Sequence, residues 1–516
     1  MNPPRFFYSG IILLFIIVLL PILFIIIAPL ATHNAHSLKG FLFDERHLTL
    51  AKSSLGLATG TTFLSLLIGI PLAFFISRTN LWGRKLFGAL YLVPILIPPY
   101  IHAIVWSHLE SFIQLHFSFD IHSVWGAVFV LSLAYFPFVS LVTQSGLKSI
   151  DRNLEEASLL HHGRFQTLHR ITLPLVTPHI FAGAIFVFIF SLTDFGVPDI
   201  LRFHVYPVEI FIQYSAFYDE RAATVLSLPL IAITLFLLVV QKWHMKNHSY
   251  IHMSGGVPEA WVFCLGRMNI LALCFCLFVV CLSVGTPLLV LIGVAGPLTN
   301  YIRVFTTSID QVTYSFFLAS SGSLAALLLG FTLSYLIERT QLKMKTLLEF
   351  AVFIPLAIPA ITMGIGLIKT WNRPLADFVY GSPLIIIIGY IARFIPFSVI
   401  IIASGLKQVN QCLEEAAFLA TPKATQVMRR ILIPLLRHSL TVGFFIVFIL
   451  SFGELGTTLL VIPPGRETIP IKIYNLMHYG ADQMVAALCV QLIAIVLAFS
   501  GLFVMFQKKL AKMIFK

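Results

Sequence analysis

Two short segments hold the side chains best placed to act on something outside the chain. The first reads Leu154-Glu-Glu-Ala-Ser-Leu-Leu-His-His-Gly163 and continues to Arg170-Ile-Thr-Leu-Pro174. The second reads Leu413-Glu-Glu-Ala-Ala417 and continues to Arg429-Arg-Ile-Leu-Ile-Pro434. In each, acids open a predicted short helix, where the macrodipole favours negative charge. A basic stretch follows, and a proline marks the entry to a long apolar run. Glu155, Glu156, Ala157 and Gly163, with Glu414, Glu415, Ala416 and Ala417, thus form a paired element suited to docking a partner. Asp194 and Glu454 stand at the ends of apolar runs, and Arg393 lies inside one. A charge in such a place is expensive and usually faces a cavity or a partner, so these three are candidates for a gate or a cation path. Pro94 with Pro98, and Pro355 with Pro359, lie one helical turn apart and would kink their runs, as candidate lining of that path.

Other chemistry is missing. No nucleophile–base constellation appears, and no Gly-x4-Gly-Lys-Ser/Thr phosphate loop occurs, so the chain is not expected to be an enzyme or to hydrolyse ATP itself. His244, His248 and His252 recur every fourth residue, but no carboxylate or thiol accompanies them and no metal site is assigned. Cys264, Cys274, Cys276, Cys281, Cys412 and Cys489 show no two-residue gap and read as small hydrophobes.

The elements that carry these residues are membrane spans. Of 516 residues, 58% are hydrophobic and only 11% charged, with a mean hydropathy of +0.93. Soluble chains are roughly 25% charged, so disorder and a nucleic-acid-binding surface are excluded: too few residues could be solvated. Twelve apolar runs are long enough to cross a bilayer, six on each side of a linker at 242–266. The first, from about Ser9 to Leu30, reads as an uncleaved helix. The net charge of +12 is distributed unevenly, with 23 of the 34 basic residues on one side of the runs and ten on the other. That asymmetry predicts cytoplasmic termini and cytoplasmic acidic segments.

The two halves repeat at an offset of about 260. Gly69 with Arg78-Thr79 recurs as Gly330 with Arg339-Thr340, and Pro94 and Pro98 recur as Pro355 and Pro359. Gly146-Leu-Lys148 recurs as Gly405-Leu-Lys407; Ser191, Asp194 and Gly196 meet Ser451, Glu454 and Gly456. An even number of spans per half makes the repeat parallel, with a substrate path expected where the halves meet.

The acidic segments resemble the EAA signature of membrane subunits of binding-protein-dependent ABC importers. Glu415-Ala416-Ala417 leads to Ile431 and Pro434 at the family spacing, with Thr421 where glycine is expected and Ile433 in place of leucine. Glu156-Ala157-Ser158 precedes Ile171, Leu173 and Pro174 in a loop one residue short, with Gly163 one place late and His162 at the glycine position. Thr193-Asp-Phe-Gly-Val-Pro-Asp199 and Gly453-Glu-Leu-Gly-Thr-Thr458, continuing through Ile462–Thr468 and Ile473–Gly480, are most similar to fused iron(III)-type permeases. Thiamine, aminoethylphosphonate and polyamine permeases share that architecture and stay open as alternatives. An ion-coupled secondary transporter is the alternative from another class, though it would need no paired docking loops.

The resemblance implies an all-α polytopic membrane protein with a type I ABC importer permease fold, in two parallel six-helix repeats. A first half at 1–241 carries its loop at about 148–174, and a second half at 267–516 carries its loop at about 405–434. It implies two copies of a cytoplasmic ABC ATPase, which hold the ATP and magnesium, and no cofactor in this chain. A periplasmic binding protein would deliver substrate, expected to be ferric iron, for alternating access across a bacterial inner membrane, with no nucleic-acid partner.

Overall fold

The computed structural model describes residues 6–32, 44–246, 262–420 and 424–514. Most of the predicted linker, with His248 and His252, and Thr421 of the second loop lie outside the described residues. Within them the chain is almost wholly helical, with no strand and one isolated bridge between Thr79 and Phe263. In hydrocarbon this is what the backbone requires, because a helix satisfies its own donors and acceptors.

Among the described residues, ten helices are long and apolar enough to cross a membrane. In chain order these are the first span (Phe7–Ile27), second (Glu45–Arg78), fourth (Val124–Ser149), fifth (Phe165–Thr193), sixth (Glu220–Trp243) and seventh (Met268–Ala295), then the eighth (Ile309–Arg339), tenth (Leu384–Gln408), eleventh (Thr425–Phe452) and twelfth (Asp482–Lys509). The third (Arg84–Leu96 with Pro99–His108) and ninth (Lys345–Ala357 with Ala360–Trp371) are bent by 92° and 112°. The predicted kinks are therefore full breaks. Ile97 and Ile358 precede Pro98 and Pro359 in extended conformation, as steric conflict with the proline ring demands.

Each bent pair still crosses. Arg78 ends the second span and hydrogen-bonds the carbonyl of Leu147 near the end of the fourth, so these two spans run parallel. The chain between them must return across the membrane, and the third span is the only candidate. Arg339 and the Leu406 carbonyl make the same case for the ninth span. Twelve crossings follow among the described residues.

Close packing divides the chain into two units that differ from the sequence halves. One unit comprises Lys39–Glu209 with Pro229–Val294; the other comprises Met1–Leu38, Ile210–Leu228 and Ala295–Lys516. The seventh span therefore packs with the first repeat, where Ala272 and Cys276 join a core with Leu72, Tyr91 and Phe136. The first span packs with the second repeat: Phe7 stacks on Tyr335 at 4.6 Å between ring centroids.

Prolines also shape the spans that stay continuous. Four π-helical turns, Phe15–Leu19, Leu168–Thr172, Cys281–Gly285 and Met428–Leu432, each end two residues before a proline: Pro21, Pro174, Pro287 and Pro434. A proline offers no N–H and its ring crowds the carbonyl four residues back. Widening the preceding turn absorbs both defects without breaking the helix.

Small residues set the closest approaches inside each unit. A Cβ on Gly69 would lie 2.8 Å from the Val139 Cβ, and one on Gly330 would lie 2.8 Å from the Ser398 Cβ. Gly56, also on the second span, has open space around it. Gly69→Val and Gly330→Val should each overpack their contact by about 1–3 kcal/mol and lower the unfolding temperature of the solubilised protein, while Gly56→Val should not. Equal shifts at all three positions would contradict this packing.

Candidate functional site

Each loop segment folds as a short helix followed by the start of the next span. Arg152–His161 is capped by the Asp151 carboxylate, which accepts from the Asn153 amide at 3.0 Å. Gln411–Ala420 is capped by Asn410, whose side-chain oxygen accepts from the Cys412 amide at 3.0 Å. Short polar side chains are the usual solution for these orphan amides.

The first glutamate of each acidic pair points inward. Arg78 Nη1 lies 2.8 Å from Glu155 Oε2, with side-chain exposures of 0% and 1%. The other Glu155 oxygen accepts from the Thr172 hydroxyl at 2.8 Å, and Arg78 Nη2 donates to the Leu147 carbonyl. One guanidinium thereby ties together the second span, the fourth span and the loop helix, while Thr172 adds the fifth. In the second repeat Arg339 Nε lies 2.7 Å from Glu414 Oε1, and Nη2 donates to the carbonyls of Leu406 and Val409 at 2.8 and 2.7 Å. Leu432 stands where Thr172 stands in the first repeat, and this clamp is slightly more open, at 9% and 3%. Burial pushes the Glu414 carboxyl up from its usual range, and the Arg339 guanidinium pulls it back down.

The second glutamate of each pair faces away. Glu156 is half-buried, and Glu415, Ala157, Gly163 and Ala416 are exposed, whereas Ala417 is buried. Large apolar side chains accompany them: Leu160 is 83% exposed, Phe165 78% and Leu419 91%. Leu154 and Leu413 are also exposed at matching places. Large apolar side chains are thus exposed together on each loop segment, the kind of patch found at interaction surfaces. Sequence reasoning found the acids and missed both the clamps and these apolar tips. The recurrence of Arg-Thr at 78 and 339 was the available signal for the clamps.

Asp194 and Glu454 cap short helices. Asp194 Oδ1 accepts from the Val197 amide at 2.9 Å and Oδ2 from the Tyr135 hydroxyl at 2.9 Å. Glu454 accepts from the amides of Thr457 and Thr458 at 2.7 and 2.9 Å, and from the Thr458 hydroxyl. Arg393 approaches Glu454 at 3.8 Å and lies over the Phe394 ring, with its side chain 28% exposed. The capped helices, Gly196–Ile200 and Gly456–Val461, pack where the third and ninth spans break. Gly196 abuts Tyr100 just beyond Pro98, and Thr457 donates to the Ala360 carbonyl just beyond Pro359, at 2.9 Å. The acids and the outer prolines of the two repeats are therefore brought together within each unit, while Pro94 and Pro355 open the short turns before each break. No cluster of metal-ligating side chains occurs among the described residues.

Twelve spans among the described residues, built as a repeat with a clamped and partly apolar loop helix in each copy, are the architecture expected of a transport permease. The chain belongs to the family described as binding-protein-dependent transport system inner membrane component, which matches residues 65–250 and 322–512. It is a multi-pass subunit of an inner-membrane transport system. It is 23% identical to the Fe(3+)-transport system permease protein FbpB 2 of Haemophilus influenzae, over 99% of each chain. Its identity to the ferric transport system permease protein FbpB of Actinobacillus pleuropneumoniae is 26%, over 86% of this chain and 70% of that one. A probable molybdenum ABC transporter permease protein of Haloferax volcanii is 30% identical over 45% of this chain and 86% of its own length.

Removing one partner of a buried pair strands the other charge, at a cost of about 3–5 kcal/mol. Glu155→Leu should therefore lower the unfolding temperature far more than a surface change. Arg78→Met combined with Glu155→Leu should recover much of that loss, because no charge is left stranded. Strictly additive losses in the double variant would show that the pair is not coupled.

Proposed function

We propose that this chain is the permease of a ferric iron importer, driven by two copies of an ABC ATPase docked on the loop helices. The observation that carries the docking is the pairing of buried and exposed faces. Glu155 and Glu414 fix each helix to its spans, while Glu156, Glu415, Leu160 and Leu419 are presented to a partner. The excess of Lys and Arg on the loop side supports cytoplasmic loops and cytoplasmic termini. A chain without a phosphate loop needs its ATPase from outside, and ATP with magnesium would reside there.

The iron substrate rests on similarity to two ferric permeases, one matched along its whole length. The proposed cycle is alternating access: a periplasmic binding protein delivers iron, ATP-driven closure of the ATPases pulls on the two loop helices, and hydrolysis resets them. A pathway role for Asp194, Glu454 and Arg393 rests on their position beside the broken spans, since their contacts are caps and an ion pair.

Reconstituted with its ATPase and binding protein, the Glu156→Lys, Glu415→Lys double variant should assemble but lose at least tenfold in iron transported per ATP hydrolysed. Normal transport by an assembled double variant would remove the docking role. In the unaltered complex, iron-loaded binding protein should stimulate ATP hydrolysis. Stimulation instead by a molybdate- or aminoethylphosphonate-loaded binding protein would reassign the substrate and leave the docking intact.

A further inference from the structure

An apolar groove of about 400 Å³ runs between the eighth, eleventh and twelfth spans, lined by Leu327, Leu440, Phe444, Phe499, Phe503 and Phe506 among others. All three spans belong to one packing unit. Phe445 stacks on the lining residue Phe503 with ring centroids 4.1 Å apart. Toward the loop end the groove turns polar. The Gln507 amide donates to the Thr441 hydroxyl, and its oxygen lies 2.8 Å from His438 Nδ1.

Helical periodicity then adds two cations. Arg437 precedes Leu440, Thr441 and Phe444 by three, four and seven residues, and Lys509 follows Phe506 and Leu502 by three and seven. Both spacings keep a side chain on the groove face. Neither cation has an ion-pair partner among the described residues. Glu338, the acid near the loop end of the eighth span, pairs with Lys407 at 3.4 Å.

We propose that this groove is a site for a phospholipid of net negative charge. One acyl chain lies along the phenylalanines and the phosphate sits between Arg437 and Lys509, within reach of Gln507 and His438. Any lipid could cover the apolar wall. Two unpaired cations aligned with its mouth discriminate between head groups, because the ammonium of a zwitterionic lipid would be repelled where a glycerol would not. Cationic side chains at the membrane surface favour anionic lipid by roughly fivefold each.

The test uses the solubilised permease–ATPase complex, exposed to equal amounts of phosphatidylglycerol and phosphatidylethanolamine, with retained lipid counted by native mass spectrometry. The unaltered complex should retain phosphatidylglycerol in preference. Arg437→Gln and Lys509→Gln should each reduce that preference roughly fivefold. Lys508→Gln removes the same charge at the same depth but about 100° around the helix, and should leave the preference unchanged. Equal retention of the two lipids by the unaltered complex would overturn the proposal. So would an equal effect of Lys508→Gln and Lys509→Gln, which would mean that only net charge matters. Should Arg437→Gln fail to assemble, the lysine pair at the exposed helix end decides the question alone.

Discussion

A buried guanidinium cannot be left unpaired where the spans end, and in both repeats the group that pairs it comes from the loop helix. Arg78 with Glu155 and Arg339 with Glu414 are therefore registration devices more than sources of stability. A buried ion pair contributes little net free energy against an apolar replacement, yet breaking it is costly. Each loop helix can take only the position in which its first acid meets the arginine, and that position turns the second acid outward. The carbonyls of Leu147, Leu406 and Val409 extend the constraint to the fourth and tenth spans. A force on either loop helix is thus delivered to at least two spans together.

At the far side of each unit, proline and carboxylate play complementary parts. Pro98 and Pro359 break the third and ninth spans and leave main-chain groups without helical partners. Short helices led by Gly196 and Gly456 fill those breaks, and their own exposed amides are satisfied by Asp194 and Glu454. Irregular backbone at membrane depth is tolerated when it is enclosed by protein in this way. The repeats differ in the second partner of the acid: a tyrosine hydroxyl at Asp194 and a guanidinium at Glu454.

Local features were legible in the sequence because they depend on neighbours along the chain. Apolar runs, prolines four residues apart and a repeat at an offset near 260 marked the spans, their bends and the paired loops. The clamps left only an indirect trace, the recurrence of Arg-Thr at 78 and 339, because Arg78 and Glu155 are 77 residues apart and nothing local couples them. The same holds for the groove cations, which reach one mouth from two spans. The exchange of the first and seventh spans between packing units was equally hidden, since a sequence repeat records ancestry of pattern and not choice of neighbour. The acids at 194 and 454 carry two readings at once. Their position near apolar ends suggested traffic of charge, yet a carboxylate three residues before a helical amide also has the ordinary spacing of a cap.

Cys412 offers the most direct test of the account, being exposed on the second loop helix two residues before the clamped Glu414. In a chain that keeps this cysteine alone, a membrane-impermeant maleimide would be applied to sealed vesicles of either orientation. The account predicts labelling only from the cytoplasmic side once the ATPase has been stripped, and protection when the ATPase is restored. Labelling from the periplasmic side, or labelling undiminished by bound ATPase, would contradict it.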